Sequence, residues 1–411
     1  MNRRHQEPLP VGFEDVVPPH ADRHEDVLYQ IMRDFRMAGY QCVTPSLFEF
    51  ETHDYITTLH SVDNRIKVID PISNHTMCLR NDFTTQVARI ACTRLGSMPR
   101  PLRLCYQGDI TNAQSDALIP ARQFKHVGIE FFGAESERAD SEVILMGVDA
   151  LRHTLMSHIT VDLNMPPLTQ ALFTHYAIQG DDADDMRKAL NNKDETFIKT
   201  SLHDDAAHIF IALIRCAGKS KDAIEQIRHM TLPPSCQPPC HAFLATAQRI
   251  DDDIHIRDDV TLILDPLENR GFAYHSGITF SYFARDARYE LGRGGRYIVD
   301  DDDMTLQRHP HHKNAVPRQK TPLIARHKNR EQAVGLTLFL DSIMRVVPSA
   351  TTAKKVYALE NNSRDTIARW RQQGVIVIHA MCKGDKAFHQ RQARLFQCSA
   401  ILDNETLEEL L

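Results

Sequence analysis

Alternation along the strand-like stretch FKHVGIEFF (124–132) places Phe124, His126, Gly128 and Glu130 on one face. A face carrying His, Gly and Glu is a poor core face but a reasonable floor for a polar pocket. An unpaired buried carboxylate costs several kcal/mol, so Glu130 there needs a cation. The ammonium of a bound amino acid would provide one. The segment LRNDFTTQVAR (79–89) brings a second acid, Asp82, to the start of an apolar-striped helix. Its residues alone leave open whether Asp82 serves the helix N-terminus or a ligand. RGFAYHSG (270–277) and GRGGRY (292–297) add an arginine-led loop and a glycine-rich run.

Metal chemistry has one candidate, Cys236, Cys240 and His241 with His229 upstream. Two thiolates and an imidazole suit zinc, but the spacing matches no two-plus-two ligand template. Pro233, Pro234, Pro238 and Pro239 make the stretch read as a plain loop. No metal and no cofactor is expected.

The elements that must position these residues follow from periodicity. Residues 20–39 form a helix: Val27, Leu28, Ile31, Met32, Phe35 and Ala38 recur at three- and four-residue steps, and Gly39 ends it. YQCVTPSLFEF follows as an extended segment whose Pro45 implies an edge or an interface. A helix follows Asp82, and residues 101–107 and 124–132 read as two strands of a hairpin with a long connection. The stretch 136–153 is an amphipathic helix. Residues 166–250 are patterned as helices, an insertion, and strand patterning returns at 260–264, 277–284 and 288–291. Between 300 and 330 a run of acids gives way to a basic, histidine-bearing stretch, expected to be a mobile, solvated loop. The last 60 or so residues alternate strands and helices and end on ETLEELL, read as a helix, which implies a small α/β unit.

Composition bounds the class. The chain has 411 residues, 42% hydrophobic, 25% charged, with a net charge of −6. That is an ordinary globular balance with no overall attraction for nucleic acid. No uninterrupted apolar run approaches the roughly 18 residues of a membrane span, and the polar start MNRRHQEPLP lacks a signal-peptide core. The nine cysteines are scattered and odd in number, which fits reduced thiols in the cytoplasm.

LRNDFTTQVAR, RQFKHVGIEFFG, RGFAYHSG and GGRY, in this order and at compatible spacing, resemble the amino-acid pocket of class II histidyl-tRNA synthetases over roughly residues 9–346. The resemblance implies an α+β fold: an antiparallel sheet flanked by helices, a helical insertion at about 166–250, and a small C-terminal α/β domain over 347–411. It implies that Asp82 holds a histidine ammonium, that Thr84 hydrogen-bonds it, and that Glu130 pairs with the same amine. The segment from Arg122 supplies a polar contact, with His126 where the family has glutamine. Arg270 would reach the carboxylate. Ala273 and His275 replace the family's Asp and second Tyr, which alters the imidazole contacts. Tyr274, His275 and Tyr297 complete the histidine-binding set, with GGRY expected to supply flexible backbone. By resemblance too, the helix and proline-bearing strand form a synthetase-like dimer interface.

Two losses qualify the match. The family's ATP-gripping arginines are matched to Gln107, in Gln107-Gly108-Asp109, and to Ser342, in Phe339-Leu340-Asp341-Ser342. Neither side chain replaces a guanidinium on phosphate. Charge-assisted bonds contribute about 1.5–3 kcal/mol each, so the pair would cost on the order of 10²–10⁴ in rate. Phe339 also fills space where nucleotide must approach the backbone. With LRNDFTTQVARIA, RPLRLCYQGD and AVGLTLFLDS, this pattern resembles the regulatory subunits of ATP phosphoribosyltransferase. That resemblance implies no catalysis of its own, the short-form catalytic subunit as partner, and feedback inhibition by L-histidine. A working histidyl-tRNA synthetase is the alternative from another class. An inactive paralogue binding RNA or protein is a third, supported by the basic stretch 308–330.

Overall fold

The computed structural model describes residues 9–51, 64–115, 120–154, 156, 158–254, 258–268, 275–285, 287–300, 330–348, 354–404 and 406–410. The 300–330 loop, apart from its two ends, lies outside the described residues, as do Arg270 and Tyr274. The chain divides into two compact units, Met1–Val347 and Pro348–Leu411.

In the first unit, α1 (His20–Met37) runs into β1 (Gln41–Cys42). A small antiparallel sheet follows, β2 (Phe48–Phe50), β3 (Lys67–Ile69) and β4 (Thr76–Leu79), and leads to α2 (Thr84–Thr93). β5 (Leu102–Thr111) and β6 (Gln123–Phe132) make the long hairpin, and α3 (Glu137–His153) packs behind it. After β7 (Ile159–Asn164) comes the helical insertion: α4 (Pro166–His175), α5 (Gly180–Asn192), α6 (Glu195–Ser201), α7 (Asp204–Arg215), the two-residue β8 (Gly218–Lys219), α8 (Ser220–Arg228) and α9 (Gln237–Ile254). Then follow β9 (Val260–Asp265), β10 (His275–Ala284), β11 (Gly292–Asp300), β12 (Arg330–Phe339) and α10 (Leu340–Ile343).

One nine-stranded sheet, ordered β1-β5-β6-β12-β11-β10-β7-β9-β8, collects these strands. It is antiparallel from β5 through to β7; β1 joins β5 in parallel at the edge, and β9 joins β7 in parallel. Strand alternation gives the sheet two different faces. Val127, Ile129, Val334, Leu336, Phe280 and Tyr282 join α1, α3 and the insertion in the main core. Leu102, Leu104, Tyr106, Phe132, Tyr297 and Ala333 pack with α2 on the other face. The faces are locked by a buried ion pair: Arg296 of β11 donates Nε–H to Asp140 of α3 at 2.9 Å and Nη1–H to the Ala134 carbonyl at 2.7 Å. Cys236 and Cys240 are buried in the main core, beside the insertion's helices.

The second unit builds a four-stranded sheet, ordered β14-β13-β15-β16, from β13 (Lys355–Ala358), α11 (Arg364–Gln372), β14 (Ile376–His379), α12 (Lys386–Leu395), β15 (Ala400–Asp403) and β16 (Thr406–Glu409). Its helices start on capping side chains: Ser363 Oγ accepts from the Thr366 amide at 3.0 Å and Asp385 Oδ1 from Phe388 at 2.7 Å. Gly374 closes α11 at φ +81°.

Three expectations are corrected. Within the terminal ETLEELL, Thr406–Glu409 is a strand: Asn404 stands before it at φ +41°, and Leu407 lies opposite Leu402. So few residues cannot sustain a helix alone, whereas pairing along β15 satisfies their backbone. The strand expected at 288–291 begins at Gly292 instead. GGRY is therefore regular strand, not a flexible run. A Cβ on Gly295 would meet the His275 ring and one on Gly294 the Phe280 ring, so these glycines serve close packing. Among the described residues no helix is long and apolar enough to cross a membrane.

Asp140→Ala strands the buried Arg296 guanidinium, and we expect it to lose about 3–5 kcal/mol of stability. Urea or thermal unfolding of the full chain measures this, and a variant within about 0.5 kcal/mol of the parent contradicts the role of the pair.

Candidate functional site

A cavity of about 740 Å³ opens on the α2 face of the sheet. Its floor is made by alternate residues of three adjacent strands. Phe124, His126 and Glu130 come from β6, Gly335, Thr337 and Phe339 from β12, and Arg293, Gly295 and Tyr297 from β11. Register pairs Glu130 with Gly335 and His126 with Phe339. A Cβ on Gly335 would overlap the Glu130 carboxyl, so glycine is what lets that carboxyl lie in the floor. A Cβ on Gly128 would likewise overlap the Tyr106 hydroxyl. Tyr106 stacks on Phe83 at 4.8 Å and its hydroxyl meets Thr337 Oγ1 at 2.8 Å.

The inner end is acidic. Glu130, 1% exposed, accepts a 2.8 Å hydrogen bond from the Tyr297 hydroxyl. Burial pushes its carboxyl up to about 8, against the opposing hydrogen bonds of Tyr297, Thr84 and Tyr106, and the Asp82 carboxyl adds to the rise. Asp82 sits at the start of α2, where its carboxyl gathers the amides of Phe83, Thr84 and Thr85 and the Thr84 hydroxyl. Burial nevertheless holds it above its usual value. Asp82 thus serves the helix terminus and faces the cavity at once. Two neighbouring carboxyls whose charged forms burial disfavours make a site that gains from an entering cation.

The outer end differs. Phe339 lies four residues on from Gly335 in β12, about 13 Å along the strand. The His126 ring lies 5.0 Å from Phe339, and its Nδ1 has no hydrogen-bond partner among the described residues. Burial, with Arg293 nearby, lowers its pKa to about 3, so the imidazole is neutral. The guanidinium of Arg293 lies 5.4 Å from the Phe339 ring, and that of Arg345 5.1 Å from Tyr289. Asp341 Oδ2 accepts the Lys125 amide at 2.8 Å. Ser342 also lines this end.

The structure therefore brings Asp82, Thr84, His126, Glu130, His275 and Tyr297 to one cavity. Arg122 is a correction. Its guanidinium bonds the Asn112 carbonyl at 3.0 Å and the Val11 carbonyl at 3.3 Å and covers the Phe13 ring, stitching the N-terminal segment to the hairpin rather than entering the cavity. Gln107 is a second correction. Alternation turns Tyr106 toward α2 and Gln107 to the opposite, exposed side. Asn112 and Gln114, further along the same chain, line the cavity instead. Both were missed, because past β5 the chain leaves the alternation that locates residues in a strand. Gly335 was missed too, although its register opposite an expected pocket acid was the available signal.

A family model described as histidyl-tRNA synthetase matches residues 12–304. The chain is 34% identical to an ATP phosphoribosyltransferase regulatory subunit of Paramagnetospirillum magneticum, over 91% of this chain and 90% of that protein. It is 33% identical to the Rhodospirillum rubrum protein of the same name, over 97% and 95%. Among solved structures it is similar to an ATP phosphoribosyltransferase regulatory subunit/histidyl-tRNA synthetase from Bacillus halodurans, at a TM-score of 0.73 and 19% identity over 94% of this chain and 96% of that one. A histidyl-tRNA synthetase from a Nostoc species gives 0.72 at 15% identity, over 96% and 90%. These two show the fold, that of a class II synthetase core. With the family model and the close relatives on the same residues, the chain belongs to the ATP phosphoribosyltransferase regulatory subunit family, a branch of the histidyl-tRNA synthetase-like proteins.

Proposed function

We propose that this chain is a non-catalytic regulatory subunit of ATP phosphoribosyltransferase in the first step of histidine biosynthesis. In this reading the short-form catalytic subunit requires it for activity, and L-histidine in the cavity inhibits the complex. The chain works in the cytoplasm and pairs with a second copy of itself. The relatives' names support the regulatory role. The Asp82–Glu130 carboxyl pair carries the ligand assignment: an amino-acid ammonium supplies it with a cation that none of the described neighbours brings, with Thr84 and Tyr297 orienting the acids. His126, neutral and with an Nδ1 unpartnered among the described residues, offers a polar contact for the ligand's side chain. Arg270 and Tyr274 complete the set by resemblance.

Absence of catalysis is supported at the outer end. Asn112, Gln114 and Ser342 stand there without a guanidinium, and the arginines that share that end, Arg293 and Arg345, lie over the Phe339 and Tyr289 rings. The bulk of Phe339 lies on the same wall.

The decisive assay is phosphoribosyl-ATP formation by the short catalytic subunit. We expect activity only with this chain present, falling when histidine is added. Glu130→Gln keeps the volume and removes the charge. It should leave activation intact and raise the histidine needed for inhibition by about 10–100-fold, the worth of one charge-assisted bond. Undiminished sensitivity overturns the pocket assignment; activity independent of this chain overturns the regulatory reading.

The same carboxyl gives a pH prediction. Its folded value, about 8, lies above the ordinary 4.5, so the folded chain binds that proton more tightly than the unfolded chain. Ligand-free stability is then full below pH 4.5 and declines as pH rises to about 8. Thermal melts of the parent chain from pH 5 to 8 should slope downward more steeply than those of Glu130→Gln; parallel slopes contradict the assignment.

A further inference from the structure

We propose that Lys193, which closes α5 in the helical insertion, is a positioning residue for the cavity. With Asp265 and Asn164 it holds both ends of the segment 269–274, which carries Arg270 and Tyr274. The proposal rests on the reading of the cavity as a histidine site and gives the insertion a part in it.

The parallel pair β7 and β9 ends on two polar residues set side by side, Asn164 and Asp265. Both are buried. The Asp265 carboxyl has a partner on each oxygen. Its Oδ1 accepts the Glu268 amide at 3.1 Å, and its Oδ2 pairs with the Lys193 ammonium. Asn164 Nδ2 donates to the Asp265 carbonyl and to Glu268 Oε2, both at 3.4 Å. Its Oδ1 accepts from Thr279 Oγ1 at 3.5 Å. Glu268 is the last described residue before the segment, and Thr279 stands on β10 four residues past His275, where description resumes. Asn164 thus ties the entry to the exit, and Asp265 ties the entry to the insertion. Thr279 in turn lies opposite Gly295, whose missing Cβ leaves room for the His275 ring in the cavity wall.

Lys193 sits at φ +56°, in the left-handed region that favours glycine or asparagine. That turn closes α5, with the Lys193 amide on the Leu190 carbonyl at 3.2 Å and the Asp194 amide on the Ala189 carbonyl at 2.9 Å. The ammonium therefore reaches Asp265 from a backbone held at a helix end. Removing it takes from a buried carboxyl the cation it pairs with. The carboxyl then regains a partner only by turning toward water, which breaks its bond to the Glu268 amide. In the histidine reading Arg270 takes the ligand's carboxylate. A displaced entry weakens that contact and leaves the ammonium contacts at Asp82 and Glu130 in place.

The test is titration calorimetry of the full chain with L-histidine and with L-histidinamide, which keeps the ammonium and the imidazole but has no carboxylate. Lys193→Met should weaken histidine binding by about 3–30-fold and histidinamide binding by less than about 2-fold. Lys193→Arg, which keeps the charge, should restore most of the loss. Thr279→Val removes only the exit bond and should show the same ligand dependence at smaller size. Arg215→Met breaks another ion pair of the insertion, Arg215–Glu195 at 2.6 Å, and should change neither affinity. Failure of the parent chain to bind histidine overturns the histidine reading itself. A parent that binds, with undiminished histidine affinity in Lys193→Met and Thr279→Val, overturns the positioning role alone. An equal loss for both ligands, or the same loss in Arg215→Met, also overturns it.

Discussion

The site rests on one unfavourable placement: the Glu130 carboxyl, out of water and beside a second acid. It is sustained by local geometry. Gly335 leaves the space, the Tyr297 hydroxyl donates at 2.8 Å, and Thr84 and Tyr106 add their hydroxyls. Asp82 survives next to it by drawing on the amides that open α2. None of these neighbours brings a full positive charge. The proton that Glu130 retains while the cavity is empty is therefore replaceable by a ligand cation, which links binding, pH and stability through one group.

The rest of the first unit can be understood as support for that arrangement. The sheet must carry apolar side chains to α3 on one face and a polar floor to α2 on the other. The buried Arg296–Asp140 pair fixes α3 against β11, whose opposite face presents Tyr297 to Glu130. The glycines of β11 and β12 keep the strands regular where bulky rings or a carboxyl press close. A ligand seated on the inner acids leaves the Phe339 end, about 13 Å away along β12, unfilled. That end carries arginines over aromatic rings, an asparagine and a glutamine, a chemistry distinct from the inner end.

Regular elements were the legible part of the sequence. Period-two alternation in FKHVGIEFF located the face shared by His126 and Glu130, and three- and four-residue spacing located α1 and α2, because those patterns are local. What failed was non-local or irregular. Arg122 has a guanidinium long enough to serve either a cavity or the backbone of a distant segment, and only the folded position of Val11 and Asn112 decides. Gln107 was placed by motif match alone, and its strand position turns it to the exposed face, while Asn112 and Gln114 further along line the cavity. The terminal strand needed β15 as a partner before its backbone preference could be known. Gly294 and Gly295 resemble a flexible run in one dimension and become packing necessities only when β10 lies beside them.

The most direct measurement of the central claim is proton release on histidine binding, from calorimetry at pH 7 in buffers of differing ionisation enthalpy. A Glu130 carboxyl held at about 8 in the empty cavity should give up close to one proton as the ammonium enters, and Glu130→Gln should abolish that release. Binding with no proton released, or with the same release from the variant, would contradict the account.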